Sequence, residues 1–119
     1  MPIKWMDECE SKNYDGAQSF LSLIMEEKDA ASVVENFKQA KITKFKAKDI
    51  LRASGLKRLN EDNEHVSDDI KKIKNQKELS PILLMRDKEH GKVVVADGYH
   101  RLSAVHVYNE DEWIYCKIV

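Results

Sequence analysis

Apolar residues recur with the period of a helix in the first third of the chain. They predict two amphipathic helices, one after Asp15 and one after Asp29, with these two aspartates as N-caps. The apolar positions are Ala17, Phe20, Leu21, Ile24 and Met25 in the first helix, and Ala30, Val33, Val34 and Phe37 in the second. Both apolar stripes are expected to pack against the core of the protein.

From residue 41 onward, short apolar runs typical of strands alternate with helical stripes. The pattern predicts, in order, a strand at 42–46, a helix at 47–53, a helix at 65–74 capped by Asn63, strands at 82–85 and 93–96, a helix after Gly98, and a strand at 113–119. The loop 87–92 has hairpin length, so the strands beside it are expected to pair antiparallel. The element order α, α, β, α, α, β, β, α, β predicts an α+β fold, a small mixed β-sheet with helices packed on it.

Length and composition are those of one globular domain. The chain has 119 residues, of which 42% are hydrophobic and 34% charged, enough for a single core but not two. No apolar run approaches the ~18 residues of a membrane span, and the N-terminus has no apolar signal core. We therefore expect a cytoplasmic protein without a membrane role. Cys9 and Cys116 lack metal-ligand spacing and are expected to be reduced thiols, with a disulfide between them as the alternative.

Charge is unevenly distributed along the chain. The net charge is −1, which argues against a uniformly basic nucleic-acid binder, and the first third is acidic. Residues 38–58 are basic, with only Asp49 opposing them. The cations are Lys38, Lys41, Lys44, Lys46, Lys48, Arg52, Lys57 and Arg58. Such a segment attracts polyanions, although a solvated basic face is the preferred interpretation for most of these lysines.

The most informative stretch is the apolar strand Val93–Ala96 followed by Asp97 and Gly98, a turn signal that opens a helix. A helix N-terminus carries unpaired N–H groups and a partial positive charge, so it can bind an anion. Gly98 would let a phosphate approach the backbone, and His100 and Arg101 would add side-chain donors. The alternative is that His100 and Arg101 are solvated residues of an ordinary first helical turn.

The run Asp97-Gly98-Tyr99-His100-Arg101-Leu102-Ser103-Ala104, after a hydrophobic strand, resembles the signature of the ParB/sulfiredoxin superfamily. In that superfamily a Gly-x-x-Arg turn opens a helix and holds nucleotide phosphates. The resemblance covers roughly the C-terminal two-thirds and implies a ParB-like core over 41–119, with residues 1–40 as a helical extension of the same domain. The turn is most similar to that of the free-serine kinase branch. Tyr99 stands where sulfiredoxin needs a cysteine, so sulfinic-acid reductase chemistry is not expected.

Roles for individual residues follow from this resemblance. Gly98, the Tyr99 N–H group, His100 and Arg101 would hold the phosphates of ATP or another nucleotide with Mg²⁺. Asp97 would hold the metal or accept a proton from an acceptor hydroxyl, and His100 is a candidate base near neutral pH. The alternatives are that Asp97 caps the helix or shapes the turn and that His100 only hydrogen-bonds there.

Two further assignments depend on the family pattern. Lys46 and Lys48 lie on or just after the strand that runs close to the nucleotide in the family, so one of them is a candidate phosphate ligand. The kinase branch also uses a catalytic glutamate, for which Glu64 is the nearest candidate. A solvated charge before a helix is the preferred interpretation of Glu64.

Three functions remain as hypotheses. The first is a nucleotide- or phosphate-binding ParB-like domain acting as a small phosphotransferase. The second is a non-catalytic regulatory module whose N-terminal helices engage a protein partner. The third is nucleic-acid binding through Lys38–Arg58. Sequence-specific DNA binding of the partition type is not expected, because no helical DNA-binding domain follows the closing strand.

Overall fold

The computed structural model describes residues 2–119, in which five helices and four strands follow the predicted order. They are α1 (Ser11–Ile24), α2 (Glu27–Gln39), β1 (Thr43–Lys46), α3 (Ala47–Ser54), α4 (Glu64–Lys74), β2 (Ile82–Asp87), β3 (Lys92–Asp97), α5 (Tyr99–Tyr108) and β4 (Trp113–Ile118). The α+β class with a small mixed sheet is confirmed. None of the helices in residues 2–119 is long and apolar enough to cross a membrane.

The four strands form one sheet in the order β1-β4-β2-β3. The β2–β3 hairpin is antiparallel, as predicted, and pairs Asp87 with Lys92 at one end and Leu83 with Asp97 at the other. β4 lies between β1, to which it is antiparallel, and β2, to which it is parallel. The sheet is therefore mixed, and β1 and β3 are its two edges.

Hydrophobic clusters cover both faces of the sheet, because successive side chains of a strand point to opposite sides. Ile82 and Leu84 of β2 belong to a cluster that also contains residues of α3 and α5. Leu83, between them, packs in a second cluster with Leu21 of α1 and Phe37 of α2. The two N-terminal helices thus cover the β2 and β3 part of the sheet face opposite α5.

The predicted N-caps of the first two helices are wrong. Glu10 is the N-cap of α1, where its N–H group donates to Asn13 Oδ1 at 2.8 Å, and Asp15 lies inside the helix. Glu26 is the N-cap of α2, which places Asp29 in the first helical turn. The apolar stripes identify the buried face of each helix, but each helix begins before the first residue of its stripe.

Both cysteines are free and buried. Burial raises the pKa of the Cys116 thiol to about 12 and also raises that of Cys9. The Cys9 thiol donates to the Pro81 carbonyl at 3.5 Å. The expectation of two free thiols is thus confirmed, and their burial favours the unreactive protonated form.

Lys117 of β4 is a buried cation that the sequence pattern did not predict. Its Nζ lies 2.9 Å from Glu8 Oε1 and donates to the Tyr14 hydroxyl at 3.0 Å and the Lys38 carbonyl at 3.3 Å. Burial disfavours the charged amine, but the hydrogen bonds to Tyr14 and Glu8 outweigh it and raise the Lys117 pKa. Lys117 therefore ties the N-terminal segment, α1 and the end of α2 to the sheet.

This ion pair predicts a pH dependence of stability. Burial opposes ionisation of Glu8, but its hydrogen bonds to Lys117, Cys9 N–H and Tyr14 lower its pKa below 4.5. A lowered carboxylate pKa stabilises the fold above the unfolded-state value, and this contribution is lost as the pH falls through the folded-state value. We expect Glu8→Gln to reduce the free energy of unfolding near neutral pH, and the difference from wild type to shrink below pH 4.5. Urea unfolding over this range measures it, and a pH-independent difference would contradict the assignment.

Candidate functional site

The turn between β3 and α5 is fixed by a close approach of its backbone to β2. Gly98 has φ +118°, and a Cβ atom there would lie 2.4 Å from Ile82 Cγ2, so only glycine fits without a shift. The first intrahelical bond runs from Leu102 N–H to Gly98 O at 2.8 Å. The three N–H groups before Leu102 therefore have no partner within the helix, and Gly98 supplies no side-chain cap.

Asp97 and Arg101 form an ion pair across this turn. Arg101 Nη2 donates to Asp97 Oδ2 at 3.1 Å and to the Pro81 carbonyl at 3.4 Å. Arg101 Nε is buried and has no hydrogen-bond partner among the described residues. A Cβ atom on Gly16 would lie 2.5 Å from Asp97 Oδ1, so the backbone of α1 packs directly on this carboxylate. The Arg101 side chain is 16% exposed, and the ion pair holds its guanidinium against the start of α5.

A cleft of about 410 Å³ opens between α4, the start of α5 and the N-terminal segment. The rings of His65, in the first turn of α4, and His100, in the first turn of α5, meet there with centroids 4.8 Å apart. Asn63 Oδ1 caps α4 by accepting from the N–H groups of His65 and Val66, as predicted. The charged side chains around the cleft are Glu10, Lys12, Asp68, Asp69, Lys72, Glu78 and Arg101.

The cleft shifts two pKa values in opposite directions. Burial raises the pKa of Asp69, whose side chain is 13% exposed, and Lys72 at 3.9 Å only partly offsets this effect. Burial lowers the pKa of His100, and repulsion from His65 adds to that shift while attraction to Asp69 opposes it. A carboxyl group that protonates more easily thus lines the same cleft as an imidazole that deprotonates more easily. Such pairs are typical of sites that move protons or bind charged ligands.

The residues of the predicted phosphate turn have different positions in the structure. His100 and Arg101 line the cleft, whereas Asp97 and Gly98 lie behind them at the end of β3. The Tyr99 hydroxyl donates to a backbone carbonyl in the connection between α3 and α4, so its side chain holds that connection in place. The cleft therefore combines two of the predicted side chains with residues from other elements.

The two predicted lysine ligands lie elsewhere. Lys46, at the end of β1, has its Nζ 5.3 Å from the ring centroid of Trp113. Lys48 Nζ is 2.6 Å from Asp111 Oδ1, an ion pair beside the start of β4. β1 is the sheet edge opposite β3, and neither lysine lines the cleft. Glu64 precedes His65 but does not line the cleft either.

Sequence reasoning missed the contribution of α4 to the cleft. Neither His65 nor Asp69 was assigned a role in the site from the sequence. A usable signal was present, because residues four apart in a helix share a face. His65 and Asp69 have that spacing in a helix that the sequence predicts from His65 onward.

Comparisons of the chain with protein-family models, curated proteins and solved structures find no match. The resemblance to the ParB/sulfiredoxin superfamily therefore stays a prediction from the turn motif. The functional argument for the cleft rests on the geometry and charge of its own residues.

The arrangement predicts that His65 and Asp69 have opposite effects on the pKa of His100. We expect His65→Gln to raise the pKa of His100, because a like charge is removed, and Asp69→Asn to lower it, because an attractive carboxylate is removed. NMR titration of the His100 imidazole resonances in both variants measures the two shifts. Shifts of the same sign in the two variants would contradict the proposed contacts.

Proposed function

We propose that the protein binds a phosphate-bearing small molecule in the cleft between α4 and α5, with ATP or another nucleotide accompanied by Mg²⁺ as the preferred class. The observation that carries the proposal is the meeting of His100 and Arg101, at the uncapped N-terminus of α5, with His65 from a different helix. Free N–H groups, an imidazole pair and a guanidinium are together suited to phosphate oxygens. The volume of about 410 Å³ is in the usual range for a small-ligand site.

The two helix N-termini at the cleft are not equivalent. Asn63 already accepts hydrogen bonds from the first turn of α4, so that end of the helix is satisfied. The first turn of α5 has no side-chain cap, and an anion there would be its natural acceptor. Arg101 lies on the same turn and has a donor without a partner among the described residues. We therefore assign the phosphate group to the α5 side.

The carboxylates of the cleft favour a ligand that brings a cation. Asp68, Asp69 and Glu78 would repel a bare polyphosphate. Among the described residues no group of three or more His, Cys, Asp or Glu side chains could hold a metal alone. Mg²⁺ bound through a nucleotide needs only one or two protein carboxylates, because phosphates and waters complete its coordination. In this proposal the metal bridges ligand phosphates and a carboxylate of the cleft.

Asp97 could serve the metal only by loosening its hold on Arg101. Its carboxylate accepts from Arg101 Nη2 and packs against the backbone at Gly16. If the ligand phosphate draws Arg101 toward the cleft, Asp97 becomes free for Mg²⁺ or for the proton of an acceptor hydroxyl. If Arg101 stays in place, Asp97 positions the guanidinium. His100, with its lowered pKa, is the other candidate base for phosphoryl transfer.

A second candidate function is a non-catalytic module that binds a protein partner. The end of α1 carries Phe20, Leu23 and Ile24 in exposed positions, and Leu23 is 82% exposed. Contiguous exposed apolar residues are typical of interaction surfaces. In this reading the cleft senses a phosphate compound and the Asp97–Arg101 pair only maintains its shape.

Arg101 gives the direct test of nucleotide binding. We expect a thermal-shift panel of nucleotides with Mg²⁺ to identify a stabilising ligand, and Arg101→Ala to weaken its binding by roughly 1.5–3 kcal/mol, as for a lost charged hydrogen bond. Isothermal titration calorimetry measures the affinity. The matched control is Arg52→Ala, an exposed arginine in the last turn of α3, which should bind like wild type. A large fall in Tm with unchanged affinity would make Arg101 purely structural.

Asp97→Asn separates the catalytic and positioning roles. If Asp97 serves Mg²⁺, nucleotide should bind more tightly with Mg²⁺ than with EDTA in wild type, and the variant should lose most of that gain. Any phosphoryl transfer should then fall by ~100-fold or more, as for loss of a metal ligand or general base. Equal affinity with Mg²⁺ and EDTA in both proteins would leave Asp97 as a positioning residue and favour the non-catalytic function.

A further inference from the structure

Aromatic rings and lysines share one face of the sheet at its β1 edge, away from the cleft. The antiparallel register pairs Lys44 with Tyr115 and Lys46 with Trp113. Directly paired residues of neighbouring strands project to the same side. Trp5, from the N-terminal segment, stacks on Tyr115 there with ring centroids 5.7 Å apart and planes within 2°. We call these five residues the aromatic face.

Two rings of the aromatic face, those of Trp113 and Tyr115, are partly open to solvent, whereas Trp5 is half-buried. Trp113 is 43% exposed and Tyr115 38% exposed, whereas Ile114 between them is fully buried on the other side of the sheet. α1 packs over β3 and β2, at the opposite edge of the sheet from β1. Lys117 is the next residue of β4 after Tyr115 on this face, and Glu8 and Tyr14 cover it. The open part of this face therefore ends at Tyr115 and extends to the edge strand.

The cations of the aromatic face are available for a ligand. Lys44 Nζ lies 5.0 Å and Lys46 Nζ 5.3 Å from the Trp113 ring centroid, and neither forms a salt bridge with a described residue. The acidic turn before Trp113 is partly neutralised within the protein. Asp111 pairs with Lys48 at 2.6 Å, and Glu110 Oε2 lies 3.6 Å from His106 Nε2. Lys44 and Lys46 therefore place positive charge beside the Trp113 ring, while Glu112, directly before Trp113, is the carboxylate of this turn without an ion-pair partner among the described residues.

We propose that the aromatic face binds single-stranded nucleic acid, with bases stacked on Trp113 and Tyr115 and phosphates held by Lys44 and Lys46. Trp113 and Tyr115 are two residues apart on one strand, about 6.6 Å along its axis, which leaves room for two separate bases. Trp5 already stacks on one face of Tyr115, so the base at Tyr115 would take the other face. Exposed sheet aromatics beside cations are the usual platform for unstacked bases. A duplex keeps its bases stacked internally and offers these rings no base surface.

This assignment does not depend on the cleft. It reduces the candidate nucleic-acid-binding surface from the basic segment 38–58 to Lys44 and Lys46. The basic stretch 38–58 does not act as a unit, because Arg58 lies near Asn60 and His106 while Lys48 is paired with Asp111. Lysines on an edge strand also discourage sheet-to-sheet association. Protection of the sheet edge would explain the lysines but not the exposed Trp113 and Tyr115 rings beside them. Base stacking explains both.

The experiment uses the full chain with fluorescein-labelled oligonucleotides of about 12 nucleotides, a length within the usual site sizes. Fluorescence anisotropy compares oligo-uridine RNA, oligo-thymidine DNA and a duplex of equal length. We expect single strands to bind and the duplex to bind at least ~5-fold more weakly. Preference between the RNA and DNA arms identifies the natural chemistry. Because Trp5 and Trp113 are the only tryptophans of the chain, unlabelled oligonucleotide should also quench intrinsic fluorescence.

Variants test the assigned contacts. Trp113→Ala should weaken single-strand binding at least ~5-fold, as for loss of one stacked base, while Trp113→Phe should retain most of it. The double variant Lys44→Ala/Lys46→Ala should reduce the slope of log K against log salt by about 1.4, which is 0.7 for each phosphate contact. If Trp113→Ala does not fold, the double lysine variant still tests the proposal. Phe20→Ala and Lys88→Ala are matched controls, an exposed aromatic on α1 and an exposed lysine in the β2–β3 turn.

Two results would overturn the proposal. The first is absence of single-strand binding, or equal binding of duplex and single strands. The second is binding that survives Trp113→Ala and the double lysine variant unchanged. Either result leaves the proposed cleft function untouched, because neither Trp113 nor the two lysines line the cleft.

Discussion

The backbone at Gly98 passes so close to Ile82 that no side chain fits between them. This contact determines how the chain leaves the sheet. β3 ends at Asp97, the turn crosses the start of β2, and α5 must begin at once, so that Leu102 and Val105 enter the core beside Ile82. The direction of α5 in turn brings Arg101 over the Pro81 carbonyl. A larger residue at Gly98 would strain both the left-handed backbone and the β2 contact.

A second constraint attaches the N-terminal helices to this turn. The Asp97 carboxylate lies between Arg101 and the backbone of α1 at Gly16, and Lys117 binds Glu8 and Tyr14 on the same side of the sheet. Partly buried ion pairs cost far more to break than exposed ones, because removing one partner leaves a desolvated charge. The Glu8–Lys117 pair and the packing of the α1 backbone at Gly16 on Asp97 join the first 40 residues to the sheet. The resemblance treated residues 1–40 as an extension of the core, but Met6, Glu10 and Lys12 from this segment line the cleft itself.

Local pattern predicted the elements well and their contacts poorly. Helical and strand periodicity depends on neighbours in sequence, so the order of nine elements, the β2–β3 hairpin and the Asn63 cap could be derived. The starts of α1 and α2 could not, because a stripe marks the buried face of a helix and not its first turn. The meeting of His65 with His100 depends on how α4 packs against α5. Lys46 and Lys48 do not line the cleft, because β4 inserts between β1 and β2 and places β1 at the edge of the sheet opposite β3, an arrangement that no local pattern predicts.

The overall charge of −1 conceals two surfaces with different electrostatics. In the cleft, partly buried Arg101 and Asp69 are surrounded by charges of both signs, so an ion there interacts at short range and is weakly screened by salt. On the aromatic face, Lys44 and Lys46 belong to an open surface where attraction to an anion is strongly screened. With the ligands proposed for them, the cleft would therefore discriminate by the geometry of its donors, whereas the aromatic face would depend on ring stacking for affinity that persists in salt. A net charge near zero is compatible with both proposals, because each depends on charges within a few ångströms of the proposed ligand.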